Sequence, residues 1–233
     1  MSGSTSCKPH DPGRMVTPPR PVGLLSRDEA VRYWDNRHRA QDDLRSGGDI
    51  GLGEAANEIF YLTRLGKLLE IIGDRNSVRE PQFVLDAGCG KGYFARALVR
   101  CGFRVEGIDT SPAAIEFCQS HGPGRYEVAS LADWRSPWLY DVVYSVDVLF
   151  HVLDDADWAA SVENLASLVR LGGKLVITDQ RNEHRRQLDN YIVHRAEMEY
   201  TELLARCGFT LDEFRPYDFQ DNEIGFLVFV RDH

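Results

Sequence analysis

Basic residues are scarce in this 233-residue chain: 27 Lys and Arg stand against 36 Asp and Glu, giving a net charge of −9 and a pI near 5.3. Such a chain has no basic field to hold a phosphate backbone, which argues against DNA or large RNA as a substrate. Metal-binding cysteine spacing is also missing. The five cysteines, at 7, 89, 101, 118 and 207, form no Cys-x-x-Cys pair. An odd number without a framework reads as reduced thiols in a cytoplasmic protein. No apolar run approaches the roughly 20 residues of a membrane span. Residues 1–24 carry Ser, Gly and Pro but no apolar signal core, and are expected to be a flexible tail. Arg-Cys-Gly-Phe recurs at 100–103 and 206–209, which marks two similar helix ends rather than a repeat.

What is present suits one domain with appendages. A hydrophobic fraction of 43%, with 11 Phe, 9 Tyr and 4 Trp, is enough for a full core. Ser26 followed by Glu29 predicts a capping box, opening a helix that runs to about Gln41. Four glycines at 47, 48, 51 and 53 then make residues 42–53 a loop, either an inter-helix linker or a lid that excludes water. A long helix is expected over 54–72 and a bridge over 73–81. Beyond it strands near 82–86, 104–108, 125–129, 141–146 and 174–178 alternate with helices near 92–101, 111–119, 154–170 and 196–206. That alternation predicts a parallel sheet wrapped on both faces. Two closing strands are expected at 209–214 and 224–230.

The segment Val84-Leu85-Asp86-Ala87-Gly88-Cys89-Gly90-Lys91-Gly92 is the most informative. An apolar strand ends in an acid and enters a glycine-rich turn, where backbone can pass close to a ligand and a helix start offers free N–H groups. Nucleotide binders of several kinds share that shape. Here the acid precedes the glycines, unlike the Gly-x-Gly-x-x-Gly of NAD sites, and a second strand ends in Asp109, placed to accept from both ribose hydroxyls of an adenosine. The other role for Asp109 is a helix N-cap. In the turn, Cys89 reads as a small packing residue.

With these motifs the chain resembles the class I S-adenosylmethionine (SAM) methyltransferases. Residues 84–92 look like their first motif and Val105 to Asp109 like the end of their second strand. Tyr140 to Ser145 looks like their fourth strand, Asp147 to Val152 like the segment after it, and Leu171 to Asp179 like the turn and fifth strand. The resemblance implies a Rossmann-like seven-stranded α/β sheet of order 3-2-1-4-5-7-6. Residues 81–233 would form the SAM-binding core and 25–80 a helical cap. It also implies SAM as cofactor, S-adenosylhomocysteine (SAH) as product, and methyl transfer to O or N of a small molecule. No Asn-Pro-Pro-Tyr-like tetrapeptide of amino-methylating nucleic-acid enzymes follows the fourth strand. Neither a nucleic-acid nor a membrane partner is expected, and a homodimer is compatible with the chain. Two rivals stay open: aminopropyl transfer, which would want an acidic pocket, and a non-catalytic SAM-binding protein.

The resemblance assigns cofactor contacts to Asp86, Gly88, Cys89, Gly90, Gly92, Asp109, Thr110 and Asp147. Asp86 either supports the turn or reaches the methionine amino group. Adenine is expected near Ser130, Leu131 and Asp133; relatives often carry an acid where Ser130 stands, so Asp133 is either its substitute or a solvated loop acid. Asn57, Tyr61 and Arg64 share one helix face, which either looks into the cleft, with Tyr61 and Arg64 near the SAM carboxylate, or is simply exposed. Tyr33, Trp34, Arg37 and His38 either fold over the site or belong to an amphipathic helix anchored by Trp34. His151 follows the fourth strand at the sheet's ligand-binding edge and reads as base or scaffold. His194 reads as base, acceptor-binding group or surface-loop histidine. Asp147 and Asp179 lie where metal-dependent relatives place carboxylates, but Gln180 stands in place of their Asn, so no metal is expected.

Overall fold

The computed structural model describes residues 23–41, 43–73, 82–220 and 223–232. The tail expected at 1–24 and the bridge expected at 73–81 lie almost entirely outside these residues. Helix α1 (Arg27–Ala40) opens on the expected capping box: the Glu29 N–H donates to Ser26 Oγ at 3.4 Å and the Ser26 N–H to Glu29 Oε2 at 2.8 Å. A short helix α2 (Asp43–Gly47) occupies part of the segment expected to be loop, so among the described residues the cap has three helices where two were expected. Helix α3 spans Glu54–Ile72.

Strands and helices then alternate as β1 (Phe83–Ala87), α4 (Tyr93–Arg100), β2 (Arg104–Asp109), α5 (Pro112–His121), β3 (Arg125–Val128) and β4 (Tyr140–Ser145). A 3-10 turn at Leu149–His151 leads to α6 (Asp155–Ser167) and β5 (Val169–Gln180). After β5 come a hairpin of β6 (Arg186–Asp189) and β7 (Ile192–His194), then α7 (Glu197–Arg206), β8 (Phe209–Pro216) and β9 (Ile224–Arg231). One sheet runs β3-β2-β1-β4-β5-β9-β8. Its first five strands are parallel and β9 pairs antiparallel with both β5 and β8. Counted within this sheet alone, the order is the expected 3-2-1-4-5-7-6.

The sheet is buried on both faces because successive side chains in a strand point to opposite sides. Val84, Val142, Val176 and Val228 join one core with Phe60, Leu68, Phe94 and Ile115 from α3, α4 and α5. Their neighbours Leu85, Val143, Ile177 and Phe229 join the other with Trp158, Val162, Tyr200 and Leu203 from α6 and α7. Each fully buried side chain of this size contributes about 1.5–3 kcal/mol. The carboxyl ends of the parallel strands are thereby held rigidly at one edge. Among the described residues, no helix is long and apolar enough to cross a membrane.

Candidate active site

One deep cleft opens at that edge. Its floor is the turn between β1 and α4, its roof is α1 with α2, and its far wall is the segment after β4. The turn can lie this close to the wall only because of its glycines. Gly88 has φ +87°, and a Cβ there would meet Val148 Cγ2 at 2.4 Å. Gly92 caps α4 in the left-handed region at φ +73°, where a Cβ would meet Cys118 Sγ at 2.9 Å. Glycine tolerates both positions at no steric cost. Cys89 and Cys118 lie beneath as buried free thiols.

Asp109 ties this turn to the next strand. Its Oδ2 accepts the Gly90 N–H at 2.9 Å and its Oδ1 the Ser111 N–H at 2.9 Å. A carboxylate has about four acceptor positions, so each oxygen can take a further donor from the cleft. The helix cap itself is Ser111, which accepts the Ala114 N–H, and not Asp109. Asp86 is buried beside the turn, near the Tyr144 hydroxyl and the Ala95 N–H, and its Oδ2 makes no well-aligned hydrogen bond within the protein. Burial, reinforced by the Asp109 charge, pushes its carboxyl up to about 7.

Helix α3 reaches the cleft through Tyr61 and Arg64, both buried and both lining it. The face containing Asn57, Tyr61 and Arg64 is therefore packed inward rather than exposed, while Ile59 and Leu62 face solvent. The Arg64 guanidinium stacks 3.8 Å from the Phe60 ring centroid and pairs with Asp147 Oδ2. Arg64 Nη2 has no partner in the protein. Asp147 has φ +56° and is held there by its N–H to Thr178 Oγ1 at 2.6 Å and by the Tyr217 hydroxyl on its Oδ1 at 2.7 Å. Asn57 does not reach the cleft; its side chain accepts the Asp49 N–H and donates to the Asp49 carbonyl, fixing the glycine-rich loop.

On the roof, Trp34 and His38 of α1 line the cleft. Trp34 meets the His151 ring edge-on at 4.6 Å, and Tyr33 stacks on Tyr191 at 5.2 Å. His151 lines the cleft as well. Its Nδ1 lies 2.7 Å from the Tyr191 carbonyl, and since a carbonyl can only accept, Nδ1 carries the proton and Nε2 keeps its lone pair. Burial pulls His151 down to about 4, so the ring is neutral at physiological pH.

Of the residues expected at the site, Thr110, Ser130 and Leu131 also line the cleft. Three of the expected site residues do not. Gly92 serves as the helix cap between Lys91 and Tyr93, which do line it. Asp133 points to solvent, 73% exposed, and pairs with Arg27 of α1 at 3.0 Å. His194 is 2% exposed on β7, with Nδ1 2.5 Å from Asp179 Oδ1. Tyr200 donates to Asp179 Oδ2 at 2.7 Å. His194 is thus neither a surface histidine nor a group in the cleft, and its partner is the carboxylate considered as a metal ligand. Asp147 and Asp179 are each engaged by different side chains. Among the described residues, no three His, Cys, Asp or Glu side chains converge as a metal site. The sequence did not reveal the Tyr191 carbonyl that sets the His151 tautomer, nor Arg27, which bridges Ser130, Asp133 and Asp157.

A family model described as a methyltransferase domain matches residues 58–214. The chain is 33% identical over 134 residues to the mitochondrial ubiquinone biosynthesis O-methyltransferase of Schizosaccharomyces pombe, covering 54% of this chain and 47% of that protein. It is 38% identical over 100 residues to the ubiquinone biosynthesis O-methyltransferase of Methylocella silvestris, covering 39% and 36%. The chain thus aligns with less than half the length of these relatives. Among solved structures, magnesium protoporphyrin IX methyltransferase from Synechocystis PCC 6803 with bound SAM superimposes with a TM-score of 0.66 at 19% identity. That match covers 88% of this chain and 95% of the other. The DhpI–SAH complex gives a TM-score of 0.62 at 21% identity, covering 87% and 95%.

Proposed function

The chain belongs to the methyltransferase-domain family, and on that premise we propose that it is a SAM-dependent methyltransferase acting on a hydroxyl oxygen of a small molecule. In this reading residues 25–80 cap a core of 81–233. The observation that carries it is a pair of buried atoms in the cleft without a well-aligned hydrogen bond in the protein, Asp86 Oδ2 and Arg64 Nη2. Their opposite charges suit the two ends of an amino-acid zwitterion. Asp86 would take the ammonium and Arg64 the carboxylate of the methionine tail, while Asp109 takes the ribose hydroxyls and Ser130 with Leu131 flank the adenine. When bound, SAM supplies an electrophilic methyl group on a sulfonium.

The chain's own part is to position the acceptor, exclude water and remove a proton. Trp34 packs edge-on against the His151 ring at 4.6 Å, so the two together form one aromatic wall for an acceptor. His151 Nε2 is the free lone pair there and would take the hydroxyl proton as the oxygen attacks. Roofing by α1 keeps bulk water out, and positioning of this kind supplies much of the acceleration in a bimolecular displacement. Oxygen is preferred to nitrogen as acceptor because the curated relatives are named O-methyltransferases. Aminopropyl transfer would use acidic groups such as Asp154 and Asp157, which also line the cleft; it is disfavoured because the curated relatives are named O-methyltransferases. The test is incubation of the chain with methyl-labelled SAM and matched panels of phenolic hydroxyl and amine acceptors. Label on oxygen is expected; label only on the amines would overturn the assignment of the attacked atom.

A further inference from the structure

His38 is not absorbed by this account, and its setting is unusual. It is 5% exposed on the underside of α1, lines the cleft, and its Nδ1 has no partner within the protein. The ring lies directly over the cofactor turn: a Cβ at Gly90 would stand 3.3 Å from His38 Cε1. Gly90 is also the residue whose N–H binds Asp109, so His38 and Asp109 both approach the same stretch of backbone.

The helix carrying His38 is tied down along its length. Arg27 bridges to Asp133 and Asp157 at its start. In the middle, Asp35 Oδ1 accepts the Ser111 hydroxyl at 2.7 Å and the Ala113 N–H at 3.1 Å. Just past its end, the Gln41 carbonyl accepts from Lys91 at 2.8 Å. With three anchors the imidazole cannot swing away to water, so its bare nitrogen costs stability unless a ligand satisfies it. Burial lowers the pKa of the ring, which keeps it neutral, and a neutral imidazole nitrogen pairs with a hydroxyl either as donor or as acceptor.

We propose that His38 is a cofactor-binding residue whose Nδ1 hydrogen-bonds a ribose hydroxyl of SAM and SAH, closing the diol from the roof while Asp109 holds it from the sheet. The inference rests on the SAM reading above. The charged groups of the cofactor lie elsewhere in that reading, at Asp86 and Arg64, so the group offered to His38 is the uncharged diol. The roof helix then senses the nucleoside directly instead of merely covering it.

Calorimetric titration of the full chain tests this with two probes, SAH and 2′,3′-dideoxy-SAH. His38→Ala is expected to weaken SAH binding roughly tenfold, the scale of one buried hydrogen bond. It should leave binding of the dideoxy analogue as in the wild type. His38→Phe keeps a ring in place, removes both nitrogens, and should give the same pattern should the alanine variant fail to fold. Unchanged SAH affinity in either folded variant, or an equal loss for both probes, would overturn the proposal, the latter meaning that His38 only packs the roof. Failure of the SAM reading itself looks different, because the wild type would then not bind SAH at all.

Discussion

Asp86 ends a strand buried on both faces, and its carboxyl is pushed up to about 7 by burial and by the nearby Asp109 charge. Its folded value lies above the 3.8 of an ordinary aspartate. This group therefore lowers the stability of the ligand-free fold as pH rises from about 4 to about 7, with no further loss above that. An ammonium ligand needs the ionised form. SAH affinity should accordingly rise with pH up to about 7 and then level off, with proton release on binding below that point. Calorimetry in buffers of different ionisation enthalpy measures the released proton. Asp86→Asn should abolish the pH dependence, weaken SAH binding, and raise the thermal midpoint of the free protein at pH 8; a lowered midpoint would count against burial as the cause. For His151, replacement by Ala should lower kcat by about 10²–10⁴ while leaving SAH affinity near wild type. Full activity at neutral pH would reduce it to scaffold. The place of Asp109 at the cleft was readable from its position at the end of β2, because strand ends in a parallel sheet fall at the ligand-binding edge. The fate of His194 was not: whether a histidine near a strand end turns to the cleft or to a buried carboxylate depends on Asp179 and Tyr200, which lie at distant positions in the chain.

At the scale of elements, the β6–β7 hairpin joins His151 to the fold. Its Tyr191 carbonyl fixes the His151 tautomer, its turn accepts the Leu25 N–H at 3.0 Å, and its end is anchored by Asp179 through His194 and the Arg195 N–H. Asp179→Ala should cost about 2–4 kcal/mol in urea unfolding, since it strands a buried imidazole and a buried phenol together. A loss within 0.5 kcal/mol, about the scatter of surface substitutions, would show the network to be dispensable. The hairpin was illegible in the sequence because Arg186-Gln187-Leu188-Asp189 is exposed throughout and has no buried side to set a period of two. Helix α3 was legible in extent and in its apolar stripe, since Phe60, Leu68 and Ile72 are buried. The pattern did not decide the fate of its polar face: Asn57 and Arg64 are buried by specific partners while Ile59 and Leu62 face out. The five-residue α2 is too short for periodicity to distinguish from a turn.

For the molecule as a whole, fold and cofactor edge follow from features that act locally: apolar strands, a glycine turn with an acid before it, and helices of the right length between strands. These signals need no distant partner, which is why the sheet order could be anticipated. The aromatic wall of the cleft is assembled from α1, the segment after β4 and the hairpin, three pieces far apart in sequence, and only the structure brings Trp34, His151 and Tyr191 together. Acidic overall charge suits a small acceptor over a polyanion. The most direct test of the central claim is a calorimetric titration of the full chain with SAH and, in parallel, with NAD. SAH should bind and NAD should bind far more weakly, and Asp109→Ala should weaken SAH by about 1.5–3 kcal/mol, because it removes a charged acceptor for the ribose hydroxyls. NAD binding tighter than SAH, or SAH affinity untouched by loss of Asp109, would contradict the account.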